Sequence, residues 1–160
     1  MNLRRKYGHP EPHRVRYWGL GNEVFGDWQI GHKDAEDYAK FALECGKMMK
    51  WTDPTIRLVA VGLTRDPDWN RIVLSKLIHI ADYISLHDYE GNDDYYEELG
   101  TLREVERNIE LTEADIETTD RVLSNCGKAA TISPGKVLRS SPWARHFNRR
   151  RSHYHKRVTP

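Results

Sequence analysis

Short apolar runs alternating with longer segments of helical period constrain this chain more than any other feature. Residues 15–21 (VRYWGLG), 56–61 (IRLVAV) and 82–87 (DYISLH) form three such runs, each closed by Gly or by polar loop residues. Near-continuous apolar character over so few residues predicts strands buried in a parallel sheet. A loop rich in Gly and aromatics follows the first run, from Val24 to His32. Asp34 then fits an N-cap, with Asp37 three residues on in a box-like relation. Behind it Tyr38, Phe41, Ala42, Cys45, Met48 and Met49 recur at helical spacing. They predict an amphipathic helix over 34–51, stopped by Asp53-Pro54. After a loop with Asp66, Pro67 and Asp68, residues Trp69, Ile72, Val73, Leu77 and Ile80 predict a second helix over 69–80. The polar run 88–94 precedes a third helix from Tyr95 to about Leu123, with Leu99, Leu102, Val105 and Ile109 in step.

Strand and helix therefore alternate three times, which predicts an α/β fold with parallel strands and right-handed crossovers. Three such units do not close a (β/α)8 barrel, which takes eight strands and typically about 250 residues. The sheet is expected to be open, or to be part of a barrel. No internal repeat beyond the alternation is visible.

Charge divides the chain in two. All 24 Asp and Glu lie in residues 1–120, alongside 15 Lys and Arg, so that stretch carries −9. Residues 121–160 hold the other ten Lys and Arg and no acid, so they carry +10. From Asn125 onwards apolar residues are sparse and periodicity is lost, and RHFNRRRSHYHKR is densely basic. That stretch is expected to be disordered. No apolar run reaches the roughly 18 residues of a membrane span, and the charged N-terminus MNLRRKYGHPEPH lacks the apolar core of a secretory signal. The two cysteines, Cys45 and Cys126, are far apart. A disulfide framework is not expected, and a reducing, cytoplasmic location is. Cys45 falls on the apolar face of its helix and reads as core. The histidines are scattered in irregular segments without cysteine partners, His9 and His13 at one end and His146, His153 and His155 at the other. No metal site is expected from them, and no motif asks for a cofactor.

Catalytic groups of parallel α/β proteins sit at the carboxyl ends of strands. Two polar clusters fall there: Gly21-Asn22-Glu23 after the first strand, and His87-Asp88-Tyr89 after the third. Glu23 has Trp18, Phe25 and Trp28 near it in sequence, and partial desolvation favours the protonated form of a carboxyl, which suits a general acid. Asn22 can donate to and accept from a hydroxyl-rich ligand. Pattern alone leaves a second reading open, with Glu23 a solvated loop carboxylate and Asn22 a turn residue.

Residues 9–32, HPEPHRVRYWGLGNEVFGDWQIGH, closely resemble the acid/base segment of the glycoside hydrolase family 51 α-L-arabinofuranosidases. The resemblance continues through DAEDYAKFALECGKMMKWTDPTIRLVAVG and DWNRIVL to ADYISLHDYEG, then fades within 95–120. YWGLGNE, GDWQIGH and SLHDY in that order are specific, whereas a bare GNE would be weak. The resemblance implies a retaining glycosidase and a partial TIM (β/α)8 barrel of about three βα units, the family's strands four to six. Glu23 matches the family's general acid/base, and Asn22 the neighbour that hydrogen-bonds the sugar 2-hydroxyl. His87 and Tyr89 match residues that line the arabinose pocket and support the nucleophile. Trp28 and Gln29 match a subsite wall.

Retention needs a second carboxyl group about 5 Å from the first. In the family it is a Glu at the end of the next strand, in a segment resembling DEWN, and no such segment is present. The expected organisation is thus a central piece of the catalytic barrel over residues 1–120 and a non-homologous basic tail over 121–160. Such a piece carries the acid/base but no nucleophile and is expected to be inactive alone. Its expected partner is an arabinose-containing saccharide, with oligomerisation left open for a full-length parent. The alternative is a non-catalytic binding chain. Its tail, where Arg149-Arg150-Arg151 and Lys156-Arg157 are interleaved with Phe147 and Tyr154, would contact nucleic acid or another polyanion. Without a folded recognition module around the tail, nucleic acid is the less expected partner.

Overall fold

A computed structural model describes residues 3–89, 91, 93–125 and 137–139 of the 160. The elements are α1 (Leu3–Lys6), β1 (Tyr17–Gly19), α2 (Ala35–Thr52), β2 (Arg57–Val61), α3 (Pro67–Leu77), β3 (Tyr83–Leu86), α4 (Tyr95–Asn125) and β4 (Val137–Arg139). The strands form one parallel sheet in the order β1-β2-β3-β4. Trp18 pairs with Leu58, Ala60 with Ile84, and Ser85 with Leu138.

Alternation along the strands decides which face is covered. Leu58, Ala60 and Ile84 point to one face and are wholly buried. There they meet Tyr38, Ala39 and Ala42 of α2, Val73, Leu74 and Leu77 of α3, and Ile116 of α4 in a single core. All three long helices therefore lie on the same side of the sheet. Tyr17, Val59, Tyr83 and Ser85 point to the other face, where the Tyr17 and Tyr83 rings meet at 5.8 Å. No helix among the described residues covers that face.

The helices start where their caps dictate. Asp34 accepts the Asp37 N–H at 2.8 Å to open α2. Asp66 accepts the Trp69 N–H at 3.1 Å to open α3, with Pro67 in its first turn. That is why α3 begins ahead of the periodic residues that predict it. At the other end of the sheet Asp82, 1% exposed, accepts from Lys50 Nζ at 2.9 Å, from Arg57 Nη1 at 2.6 Å and from the Leu58 N–H at 3.0 Å. One buried carboxylate so fastens the end of α2, the start of β2 and the start of β3.

Two expectations are corrected. The run 15–21 is not a buried strand: β1 is three residues long and exposed throughout, because among the described residues it is the edge of the sheet. The sequence downstream of Asn125 is not wholly without regular structure, since Val137–Arg139 add a strand beside β3. Three residues are too few for an apolar period to register. The remaining residues expected to be disordered or to bind polyanions, with Cys126, His146, His153 and His155, lie outside the described residues. Among the described residues, no helix is long and apolar enough to cross a membrane, and no group of three or more His, Cys, Asp and Glu is placed to hold a metal ion.

Candidate active site

The carboxyl ends of β1, β2 and β3 lie along one edge of the sheet, because the strands are parallel. Val61, the last residue of β2, reaches past the end of β1, so its backbone groups facing that side have no ladder partner. Two aromatic side chains take their place. The Val61 N–H donates to Tyr38 Oη at 2.8 Å, and Trp69 Nε1 donates to the Val61 carbonyl at 3.0 Å. The two rings stack at 5.6 Å and 16°. Burial pushes the Tyr38 hydroxyl above the ordinary tyrosine value, against the lowering effect of the Val61 N–H. Helices α2 and α3 are thereby pinned at the edge where chemistry is expected.

The chain leaves β1 through a turn that only a glycine makes easily. Gly21 has φ +137°, and a Cβ there would come within 3.0 Å of Val24 Cγ1. Glu23 itself takes the left-handed region, with φ 47°, at a cost of roughly 1–2 kcal/mol for a residue with a Cβ. Its carbonyl accepts the Gly26 N–H at 2.8 Å, closing the turn. The turn carries the carboxyl group across the end of β2 to the loop after β3. There Glu23 Oε1 lies 2.8 Å from His87 Nδ1, with the two side chains 18% and 11% exposed. An ionised carboxylate accepts a hydrogen bond from the ring N–H, and a protonated carboxyl donates one to the bare ring nitrogen. A carboxyl and an imidazole shielded together in this way can give and take a proton.

The segments carrying the pair are themselves held. Asn70 on α3, 3% exposed, accepts the Leu63 N–H at 2.9 Å and donates to the Leu63 carbonyl at 2.9 Å. The neighbouring Thr64 Oγ1 donates to the His87 carbonyl at 2.9 Å. On the far side Asn108 of α4 donates to Asp88 Oδ1 at 3.3 Å.

The other residues singled out in the sequence fall around this pair without being drawn into it. Asn22, Trp28 and Tyr89 are exposed and Gln29 is half-buried. Trp28 folds back over Gly26 and meets Phe25 edge-on at 6.3 Å, and Phe25 meets Trp69 at 5.7 Å. Trp18 bonds the Val15 carbonyl and lines a groove of about 540 Å³ with Val15, Met48, Met49 and Ile56. The Glu23 side chain meets His87, a partner 64 residues away that its sequence neighbours do not suggest.

Set against known proteins, the family model described as "Alpha-L-arabinofuranosidase 1 domain" matches residues 1–107, two thirds of the chain. The chain belongs to the family 51 α-L-arabinofuranosidases. It is 47% identical over 98 residues to the intracellular exo-alpha-(1->5)-L-arabinofuranosidase 1 of Bacillus subtilis, covering 58% of this chain and 20% of that protein. Alpha-L-arabinofuranosidase C of Emericella nidulans is 33% identical over 128 residues, covering 72% of this chain and 25% of the relative. Among solved structures, the arabinose complex of the Thermotoga maritima α-L-arabinofuranosidase superposes with a TM-score of 0.71 at 45% identity, over 81% of this chain and 27% of that one. The thermostable enzyme of family 51 from Thermotoga petrophila gives 0.70 at 45% identity, over 77% and 25%. This family 51 chain thus spans about a fifth to a quarter of the length of these relatives.

Glu23, His87, Thr64 and Asn70 all fall inside the family match, and Asn108 is the first residue beyond it. Thr64, Asn70 and Asn108 are missing from the sequence reading. Asn70 and Asn108 lie on helices whose apolar period says nothing of polar contacts. Thr64 carried a usable signal, since it follows β2 at the same sheet edge as Glu23 and His87.

Proposed function

We propose that this chain is the acid/base-bearing part of a retaining α-L-arabinofuranosidase that removes terminal arabinofuranosyl groups from arabinose-containing saccharides. Its three βα units are strands four to six of a (β/α)8 barrel, residues 1–120 are the catalytic piece, and residues 121–160 are a separate basic tail. Glu23 is the general acid/base. It protonates the departing glycosidic oxygen, and as a carboxylate it then takes a proton from the water that releases the sugar. His87 holds the carboxyl in place through both protonation states. Asn22 bonds the sugar 2-hydroxyl, and Tyr89 and Trp28 line the subsite. The nucleophilic carboxylate of a retaining pair sits about 5 Å from the acid/base, and residues 121–160, without a single Asp or Glu, supply none. A cytoplasmic location is supported by the word intracellular in the name of the Bacillus subtilis relative.

The observation that carries this reading is the 2.8 Å contact between Glu23 and His87, 64 residues apart and meeting at the carboxyl edge of a parallel sheet. The test is protection of the exposed aromatic residues by arabinose. Arabinose is expected to slow oxidation of Trp28 and nitration of Tyr89 at least twofold, read by mass spectrometry of the peptides. Trp51, 81% exposed at the opposite end of α2, serves as the internal control. Equal rates with and without arabinose at Trp28 and Tyr89 would sink the proposal.

A further inference from the structure

We infer that Thr64 is a positioning residue for the Glu23–His87 pair: its hydroxyl fixes the His87 backbone, and through it the face of the imidazole turned to Glu23. The inference rests on the acid/base role proposed for Glu23. His87 follows the last residue of β3, so the sheet ladder no longer holds its backbone. Its ring contact at Nδ1 is to a side chain brought from the other side of β2. Thr64 spans that gap, since it follows β2, the strand between the two, and donates Oγ1 to the His87 carbonyl at 2.9 Å.

The hydroxyl is not itself free to wander. The preceding residue, Leu63, has both backbone polar groups taken by the buried Asn70 side chain of α3. The Gly62 N–H donates to the Ser85 carbonyl at 2.9 Å. The route runs from a buried helix amide through Leu63 and Thr64 to the His87 carbonyl and ring. An ionised carboxylate can only accept, so contact with it requires the His87 proton on Nδ1. A free neutral imidazole exchanges its proton between both nitrogens. The tautomer of His87 therefore reports whether its ring is held, independently of any turnover.

The experiment records long-range 1H–15N spectra of the His87 ring in the full chain at pH about 8.5, well above the ordinary imidazole value of about 6.5. The wild-type chain is expected to show two well-separated ring nitrogens with the proton on Nδ1. Thr64→Val should bring the two nitrogens towards a common averaged position, as Glu23→Ala should by removing the acceptor, while Thr64→Ser should restore the separation. Ser75→Ala removes an exposed hydroxyl that donates to the Ile72 carbonyl, and it should leave the spectrum unchanged. An unaltered His87 tautomer in Thr64→Val overturns the inference. So does an averaged one in Thr64→Ser, which keeps the hydroxyl and is the deciding variant should the valine chain not fold. Failure of arabinose to protect Trp28 and Tyr89 would instead remove the saccharide reading and leave the His87 spectrum as it is.

Discussion

Asp82 shows how much one side chain decides here. Its burial by itself would raise the carboxyl, but the Leu58 N–H, Lys50 and Arg57 together outweigh that and hold it below the ordinary carboxylate value. Replacing it with Ala leaves a buried N–H unsatisfied and two cations without their anion. We expect Asp82→Ala to cost about 3 kcal/mol of stability, measured by urea denaturation. The pH dependence follows from the depressed folded value. The contribution is fully present above the unfolded carboxylate value of about 3.9 and is lost as pH falls through the folded one. Wild type should therefore lose stability relative to Asp82→Ala only below about pH 4, and a difference that persists undiminished to pH 2 would contradict the ion-pair account. Arg57 and Lys50 are easily read from the sequence as solvated cations. Their joint use of Asp82 was not legible, because it depends on three strand and helix ends meeting.

At the scale of elements, each boundary has a local cause that the apolar period does not see. Helix α3 begins at Pro67 because Asp66 caps it, and β1 ends early because the chain turns away at Gly21, whose φ of +137° is not a strand conformation. Helix α4 departs furthest from expectation. Its leading apolar residues, Leu99 and Leu102, are more than half exposed, while Asn108, Thr112 and Asp115 are buried with Ile109 and Ile116. The buried polar residues are accounted for: Asn108 meets Asp88, Thr112 bonds the Asn108 carbonyl, and Asp115 accepts from Arg71 Nε at 3.0 Å. A period alone cannot foresee that a helix packs through paired polar groups. Where β2 and β3 end, Gly62 is required by close approach, since a Cβ would fall 2.5 Å from the Ser85 carbonyl oxygen and 2.8 Å from Ile84 Cγ1. Backbone cannot yield there cheaply, so Gly62→Ala is expected to destabilise by about 1–3 kcal/mol. A thermal midpoint equal to wild type would show that the strands have room to part.

For the whole molecule, the described helices α2, α3 and α4 lie on one face of the sheet, and the other face presents Tyr17, Val59, Tyr83 and Ser85. Two-layer packing of helices on one face of a parallel sheet is what the α/β alternation produces. The chain spans about a fifth to a quarter of its relatives, and residues 121–160 bring no carboxylate. On the proposed reading Glu23 works here without its nucleophile, and lacking one member of a catalytic pair that acts as a unit costs several powers of ten in rate. The purified chain is therefore expected to show no turnover of an aryl α-L-arabinofuranoside above the uncatalysed rate. Measurable hydrolysis that disappears in Glu23→Gln would overturn that expectation.

The sequence by itself determined the α/β alternation, the helix over 34–51 to within a residue at each end, the family, and the two polar clusters at strand ends. All of these are local or near-local: a period, a cap, or a run of residues in order. Tertiary structure alone decided that Glu23 and His87 share a contact, that Tyr38 and Trp69 finish the backbone pairing of Val61, and that Thr64 reaches the His87 carbonyl. Each of these joins residues from different βα units across a strand. Their distances are set by sheet register and helix packing, which no stretch of sequence carries within itself.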